Sequence, residues 1–265
     1  MLYEVRGSGE PLVLIHGIGS RWQVWEPVLD LLARDFQVWA VDLPGFGASP
    51  PSPGATTVPD LIEHVRGFLD AQGLDRPHLA GNSMGGGISL ELARRGLARS
   101  VTAFSPIGFW NTPERVWTQA ALLAARMVAR YGRPIVPLVA SNRITRAGLF
   151  GLFYGQPGAL SMPTIEGDLA GLGGADGFHQ ALRSFSEFRW LAGDVSPEVP
   201  VTIAWGSRDL LLPYWTQHRR AEALLPFAAH VTLPGCGHLP MHDNPELCAD
   251  VLTHTAQGAL KGNER

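Results

Sequence analysis

Three residues of this chain have the types and the chain order that acyl transfer needs: Ser83, Asp209 and His238. Ser83 lies in Gly81-Asn82-Ser83-Met84-Gly85, between the apolar run Pro77-His78-Leu79-Ala80 and a segment of helical character from Gly86 to Ala93. A serine between glycines at a strand-to-helix junction is the nucleophile-elbow pattern. The turn is sharp, the serine backbone is strained, and a β-carbon at either glycine would hold strand and helix apart. A serine hydroxyl is a poor nucleophile at neutral pH; it needs a base within hydrogen-bond reach, and that base needs an orienting group. In open α/β sheets such groups gather on loops at the carboxyl ends of strands. The sequence offers one at each of two later strand ends. Gly206-Ser207-Arg208-Asp209 follows the run Val199 to Trp205, and Pro234-Gly235-Cys236-Gly237-His238 follows Ala229 to Leu233.

The rest of the chain reads as elements that would hold these loops. Leu2 to Arg6 alternates and ends in a glycine turn. Pro11 to Ile15 and Phe36 to Val41 are continuous apolar runs, as in strands buried on both faces, and Ser100 to Ser105 is another strand. Helical spacing covers Val24 to Phe36, Thr57 to Gln72 and Trp215 to Leu225. A last helix begins near Pro245 and fades by Thr255, with a frayed tail from Gly258. This alternation predicts an α/β fold with a mostly parallel sheet flanked by helices. The alternation stops at Pro106. From 107 to 197 the chain shows only helical stretches, at Val116 to Tyr131, Val136 to Arg143, Thr145 to Tyr154, Thr164 to Leu172 and Phe178 to Leu191. Proline and glycine clusters punctuate them. This reads as an all-helical lid, or alternatively as extra helices flanking the sheet. The expected domains are a core of 1–106 and 198–265 and a helical cap of 107–197.

Bulk properties narrow the class. The chain has 265 residues, 45% hydrophobic and 17% charged, a globular composition with ample core material. A net charge of −3 gives no electrostatic footprint for nucleic acid. The basic residues are nearly all arginine, read as scattered, and imply no partner. Cys236 and Cys248 have no metal-like spacing, so a reduced, cytoplasmic chain is the simplest reading. No signal-peptide pattern and no run of apolar residues long enough to span a membrane is visible.

The chain resembles the α/β-hydrolase family. The resemblance rests on His16-Gly17, Asp42-Leu43-Pro44-Gly45-Phe46-Gly47-Ala48-Ser49, Gly81-Asn82-Ser83-Met84-Gly85-Gly86, Gly206-Ser207-Arg208-Asp209 and Gly237-His238. It covers most of the chain outside the lid, which the family pattern puts after its sixth strand. The resemblance implies that Ser83 attacks an acyl carbon, that His238 takes and returns its proton, and that Asp209 fixes the imidazole tautomer. It implies an oxyanion hole from the backbone N–H groups of Met84 and Ile18. No cofactor and no metal is required. Serine at the elbow, in place of aspartate, sets the chain apart from family members that attack with a carboxylate.

Within the serine branch the sequence is similar to carboxylesterases, enol-lactonases and cofactor-free perhydrolases. It is also similar to hydrolases that cleave carbon–carbon bonds of ring-fission diketo acids, where Arg189-Trp190 would meet the substrate's acid group. The leading expectation is hydrolysis of a small, hydrophobic ester or lactone by water; a non-catalytic small-molecule binding module is a third reading. Trp22, Trp110, Trp117 and Trp190 are pocket candidates, with core packing the alternative. His16 reads as a loop-shaping residue, Asp42 as a tie within its own turn, and Asp243 or Asn244 as a helix cap. Whether the chain forms a homo-oligomer is left open.

Overall fold

A computed structural model describes residues 1–52, 56–132, 134–191 and 199–262. Its strands are β1 (Tyr3–Arg6), β2 (Glu10–Ile15), β3 (Phe36–Val41), β4 (His78–Asn82), β5 (Ser100–Phe104), β6 (Val201–Gly206) and β7 (Ala229–Leu233). They form one seven-stranded sheet in the order β1-β3-β2-β4-β5-β6-β7. β1 runs antiparallel to β3, and every other neighbouring pair is parallel. The continuous apolar runs dictate this arrangement. β4, β5 and β6 are buried along their whole length, as strands covered on both faces must be. The alternating β1 takes the half-exposed edge.

The helices are α1 (Glu26–Leu32), α2 (Val58–Gln72), α3 (Met84–Arg94), α4 (Thr112–Tyr131), α5 (Val136–Val139), α6 (Arg143–Phe150), α7 (Met162–Gly174), α8 (Phe178–Ser184), α9 (Tyr214–Leu224), α10 (Pro240–Asp243) and α11 (Pro245–Gly262). On one sheet face Leu12, Leu14 and Phe104 pack with Trp25 and Leu29 and with Leu252 of α11. On the other, Val13, Ile15 and Val101 pack with Leu61 and Val65 of α2 and Ile88 of α3. Each such fully buried side chain contributes about 1.5–3 kcal/mol of hydrophobic stabilisation. Helix α2 starts where Thr57 and Asp60 form a reciprocal capping box, and α4 starts on the same device from Asn111 and Glu114.

Between β5 and β6 the described residues hold α4 to α8 and no strand. In this chain's own numbering the helical stretch follows β5. The expected boundary at 197/198 lies outside the described residues. Three helix readings change. The stretch expected to be helical to Leu191 leaves the α-helix at Ser184, because residues 185–188 close i to i+3 bonds and Trp190 N turns to Gly108 O at 3.2 Å. The helix expected over 136–143 ends at Val139. Helix α11 runs on to Gly262, with Ala256 buried in the second core cluster.

Candidate active site

The elbow is built as its glycines require. Ser83 stands between β4 and α3 with φ 56° and ψ −115°, a left-handed conformation that costs a non-glycine residue about 1–3 kcal/mol. A β-carbon at Gly81 would collide with the Gly85 carbonyl, and one at Gly85 with the carbonyl of Ile15 on the neighbouring strand. The sheet holds the strained turn in place: Ser83 N donates to Phe104 O (2.9 Å), and Gly87 N and Ile107 N both donate to Ser83 O (3.1 Å each).

Asp209 and His238 meet as the sequence order predicts. His238 Nδ1 donates to Asp209 Oδ2 at 2.8 Å, and both residues are buried. The other Asp209 oxygen, Oδ1, accepts from Leu211 N (3.0 Å) and Leu212 N (2.9 Å). With Nδ1 carrying the proton, Nε2 is left as the basic nitrogen of the ring. Ser83 and His238 line the same cavity. Among the described residues no hydrogen bond joins their side chains; in sites of this kind such a link tightens when substrate binds. The loop after β2 lies against the serine, since a β-carbon at Gly17 would stand 3.1 Å from Ser83 Cβ. Ile18 lines the cavity beside it. Met84 opens α3, so its N–H is among the helix's unpaired first-turn donors.

Other side chains of the motifs take structural roles. His16 Nε2 accepts from Leu43 N (3.0 Å), so Nδ1 carries the proton and donates to Gly17 O (2.7 Å). Burial holds its pKa below the ordinary histidine value and keeps it neutral. Asp42 accepts from Trp22 N (2.7 Å) and Ala48 N (2.8 Å), tying down its own turn and the loop after β2 together. Burial pushes the Cys236 thiol up to about 11, so it is no nucleophile at neutral pH.

Three further residues, outside the triad, matter to the site. Asn82, fully buried, donates to His238 O (2.9 Å) and Phe104 O (3.3 Å), fastening the histidine loop to the elbow. Asp243 does not cap α11; Asn244 does, accepting from Leu247 N (3.1 Å). Asp243 instead accepts from Gly155 N, Gln156 N and Gly237 N, each at 2.8 Å, clamping the segment after α6 onto the histidine loop. Asp168 of α7 lines the cavity and accepts from the buried Tyr154 hydroxyl. Its burial raises its carboxyl to about 6. The local sequence around Asp168 and Asp243 carries little signal of this, because the Asp168 partner lies 14 residues away and the partners of Asp243 after α6 lie 87 and 88 away.

The cavity measures about 570 Å³. Its walls are mostly aliphatic and aromatic, from α4, α6, α7 and the Leu152 to Tyr154 turn, and no arginine or lysine lines it among the described residues. The four tryptophan candidates separate. Trp117 lines the cavity. Trp110 and Trp190 are buried in the main core, their indole N–H groups donating to Phe188 O (3.2 Å) and Ile107 O (2.9 Å). Trp22 packs on the second core cluster. Arg189 is exposed. So Trp22, Trp110, Trp190 and Arg189 are not cavity residues, because their apolar surfaces or charge find better partners in core and solvent. Leu149, Phe150, Leu152 and Phe153 line the cavity, and Phe150 is at the same time part of the buried cluster of the helical stretch, with Leu149 and Phe153 packed against it.

A sequence model described as the alpha/beta hydrolase family matches residues 12–251. The chain is 29% identical over 244 residues to the dihydrolipoyllysine-residue acetyltransferase component of the acetoin cleaving system of Cupriavidus necator, which covers 88% of this chain. It spans 60% of that relative's length. It is 42% identical over 93 residues to a 2-hydroxy-6-oxo-2,4-heptadienoate hydrolase of Pseudomonas putida, 34% of each chain. A solved thermophilic esterase from Thermogutta terrifontis superposes with a TM-score of 0.77 at 22% identity, covering 97% of this chain and 93% of its own.

Proposed function

The chain belongs to the alpha/beta hydrolase family, and from that premise we propose that it is a serine hydrolase of small, apolar carboxylic esters or lactones. The observation that carries the reading is one arrangement: a strained Ser83 and an Asp209-oriented His238 on the wall of one apolar cavity. His238 Nε2 takes the Ser83 proton as Oγ attacks the acyl carbon, then delivers it to the leaving alkoxide. Asp209 holds the tautomer and stabilises the imidazolium. The N–H groups of Ile18 and Met84 receive the oxyanion, each worth about 2.7–4 kcal/mol of barrier. Water, activated by the same histidine, then releases the acyl group. Residues 107–197 serve as a cap that shapes the acyl pocket. No step calls for a metal or organic cofactor.

Carbon–carbon hydrolysis of a diketo acid is the second reading, favoured by the 42% identical segment. Against it, Arg189 is exposed, Trp190 is in the core, and the charged residue on the cavity wall is the acidic Asp168. Among the described residues no arginine or lysine lines the cavity to meet a substrate carboxylate. The test is release of p-nitrophenol from short-chain acyl esters by the purified chain. The expected result is turnover, labelling of Ser83 by a fluorophosphonate probe, and loss of both in Ser83→Ala. Turnover of a diketo acid without ester hydrolysis, or full activity in Ser83→Ala, overturns the reading.

A further inference from the structure

Helix α4 buries a mixed face, Thr118, Leu122, Arg126 and Ala129, and leaves an apolar one outward. On the inner side Thr118 Oγ1 donates to Leu211 O (3.1 Å) and Gln119 Nε2 to Leu182 O (2.8 Å). The buried Arg126 guanidinium donates to Leu172 O (2.7 Å) and lies 4.7 Å from the centre of the Phe178 ring. The opposite face, positions 116, 117, 120, 123, 124, 127, 128 and 131, recurs at one-turn spacing and is exposed throughout. It carries no charge. Met127 is 57% exposed and Tyr131 67%. Past the helix, Leu138 and Ile144 stand 77% and 82% exposed. Monomeric soluble chains rarely leave so long an apolar run open unless it has a partner.

The charge of the same stretch says which partner. Residues 115–150 hold six arginines and no aspartate or glutamate, in a chain that is net −3 overall. The arginines that look scattered along the whole sequence have no acidic residue within this stretch, although Arg126 is buried with Asp176 acting on it. Arg130 and Arg143 are exposed beside the apolar residues. A two-fold contact of this face with a second copy would bring like charges together, which costs rather than gains. A surface that accepts apolar side chains and carries negative charge suits both features. Trp117 and Val128 belong to the exposed stripe and also to the cavity wall, so the face borders the way in to Ser83.

We infer that the outward face of α4, continued through α5 and α6, seats on the surface of an anionic lipid bilayer. The apolar stripe enters the boundary between headgroups and acyl chains, and the exposed Arg130 and Arg143 lie at headgroup level. The docking rests on this face alone. If the hydrolase reading also holds, the esters delivered to Ser83 are bilayer-dissolved ones.

Sedimentation with large vesicles tests it, using full-length Ser83→Ala so that vesicle composition stays fixed. The comparison is phosphatidylcholine alone against phosphatidylcholine with phosphatidylglycerol, at low and high salt. The expected result is binding to the anionic vesicles that weakens with salt. Arg130→Ala should lower the partition coefficient about fivefold, the equivalent of one headgroup-level cation. Met127→Glu, at an exposed position that leaves the core intact, should abolish binding. Equal binding to both vesicle types, or none to either, overturns the inference. So does a concentration-dependent dimer in vesicle-free solution that Met127→Glu dissociates, since the second copy is then the occupant. Turnover of a soluble p-nitrophenyl ester by the parent chain reports on the hydrolase reading separately.

Discussion

Asp209 divides its two oxygens between different partners, and that division decides what an amide in its place would do. Oδ1 is committed to the Leu211 and Leu212 amides, so in Asp209→Asn the carbonyl stays there and the NH₂ faces His238. A donor facing Nδ1 forces the imidazole proton onto Nε2, where it can no longer take the Ser83 proton. We expect kcat on p-nitrophenyl esters to fall about 10⁴-fold with little loss of stability, checked by steady-state kinetics beside thermal unfolding. Asp168 behaves oppositely. Burial raises its folded-state pKa to about 6, opposed by Tyr154 and Arg21, so between the ordinary carboxylate value and about 6 the folded chain binds more protons than the unfolded. Stability therefore falls as pH rises through that window and stays lowered above it. Asp168→Asn keeps an acceptor for Tyr154 and removes the buried charge. The variant should be about 2–3 kcal/mol more stable than its parent at pH 8, with the gap closing near pH 4, measured by urea unfolding at each pH. Ser83, Asp209 and His238 can be picked out in the sequence because each follows an apolar run at a strand's end. Asn82, Asp168 and Asp243 cannot, because what makes them matter is a partner far along the chain.

The elements that hold these residues were legible where one periodicity ruled and obscure where packing overrode it. Apart from the alternating edge strand β1, the strands of the sheet are short, mainly apolar runs that read the same in sequence and in space. The 185–190 stretch misleads because Phe185, Phe188 and Trp190 keep helix-like apolar spacing while meeting the core from 3₁₀-like turns. For helix α4 periodicity cannot say which face is inward: the long apolar stripe faces out, while Leu122 and Ala129 turn inward beside Thr118 and Arg126. Contact between the helical stretch and the histidine loop was not legible at all. It runs through the Asp243 clamp and through Leu239 N donating to Phe153 O (2.9 Å). Removing the carboxylate leaves the amides of half-buried Gly155, buried Gly237 and exposed Gln156 without this acceptor. Asp243→Ala should cost about 2–4 kcal/mol in denaturant unfolding and lower kcat, because the loop carrying His238 loses its fixed position. An unchanged kcat beside the stability loss would mean that the clamp serves the fold alone.

At the scale of the molecule, the question is whether the helical stretch between β5 and β6 is a separate unit. The sequence suggests one, since the strand–helix alternation stops at Pro106. The packing argues that it does not unfold by itself. Leu122 of α4, Phe178 and Leu182 of α8 and Phe185 belong to the same core cluster as Val13, Ile88 and Val101 of the sheet. Val58 N donates to Ser184 Oγ (2.9 Å) and Arg220 to Glu114 Oε2 (2.7 Å), so α2 and α9 of the sheet layer are bonded to α8 and α4. A smaller cluster, with Phe150, Ile165 and Leu169, lies within the stretch, but partly buried Leu239 beside His238 packs against it. Opening the stretch would expose the apolar face of the sheet layer, and unfolding the sheet would leave α4 and α8 with nothing to cover. The two parts should therefore melt together. Scanning calorimetry should give one transition whose calorimetric and van't Hoff enthalpies agree, with a total of about 180 kcal/mol near 60 °C for a chain of this length. Two resolved transitions, the smaller one lost when residues 107–197 are replaced by a short linker, would show an independently stable cap and a core that closes without it.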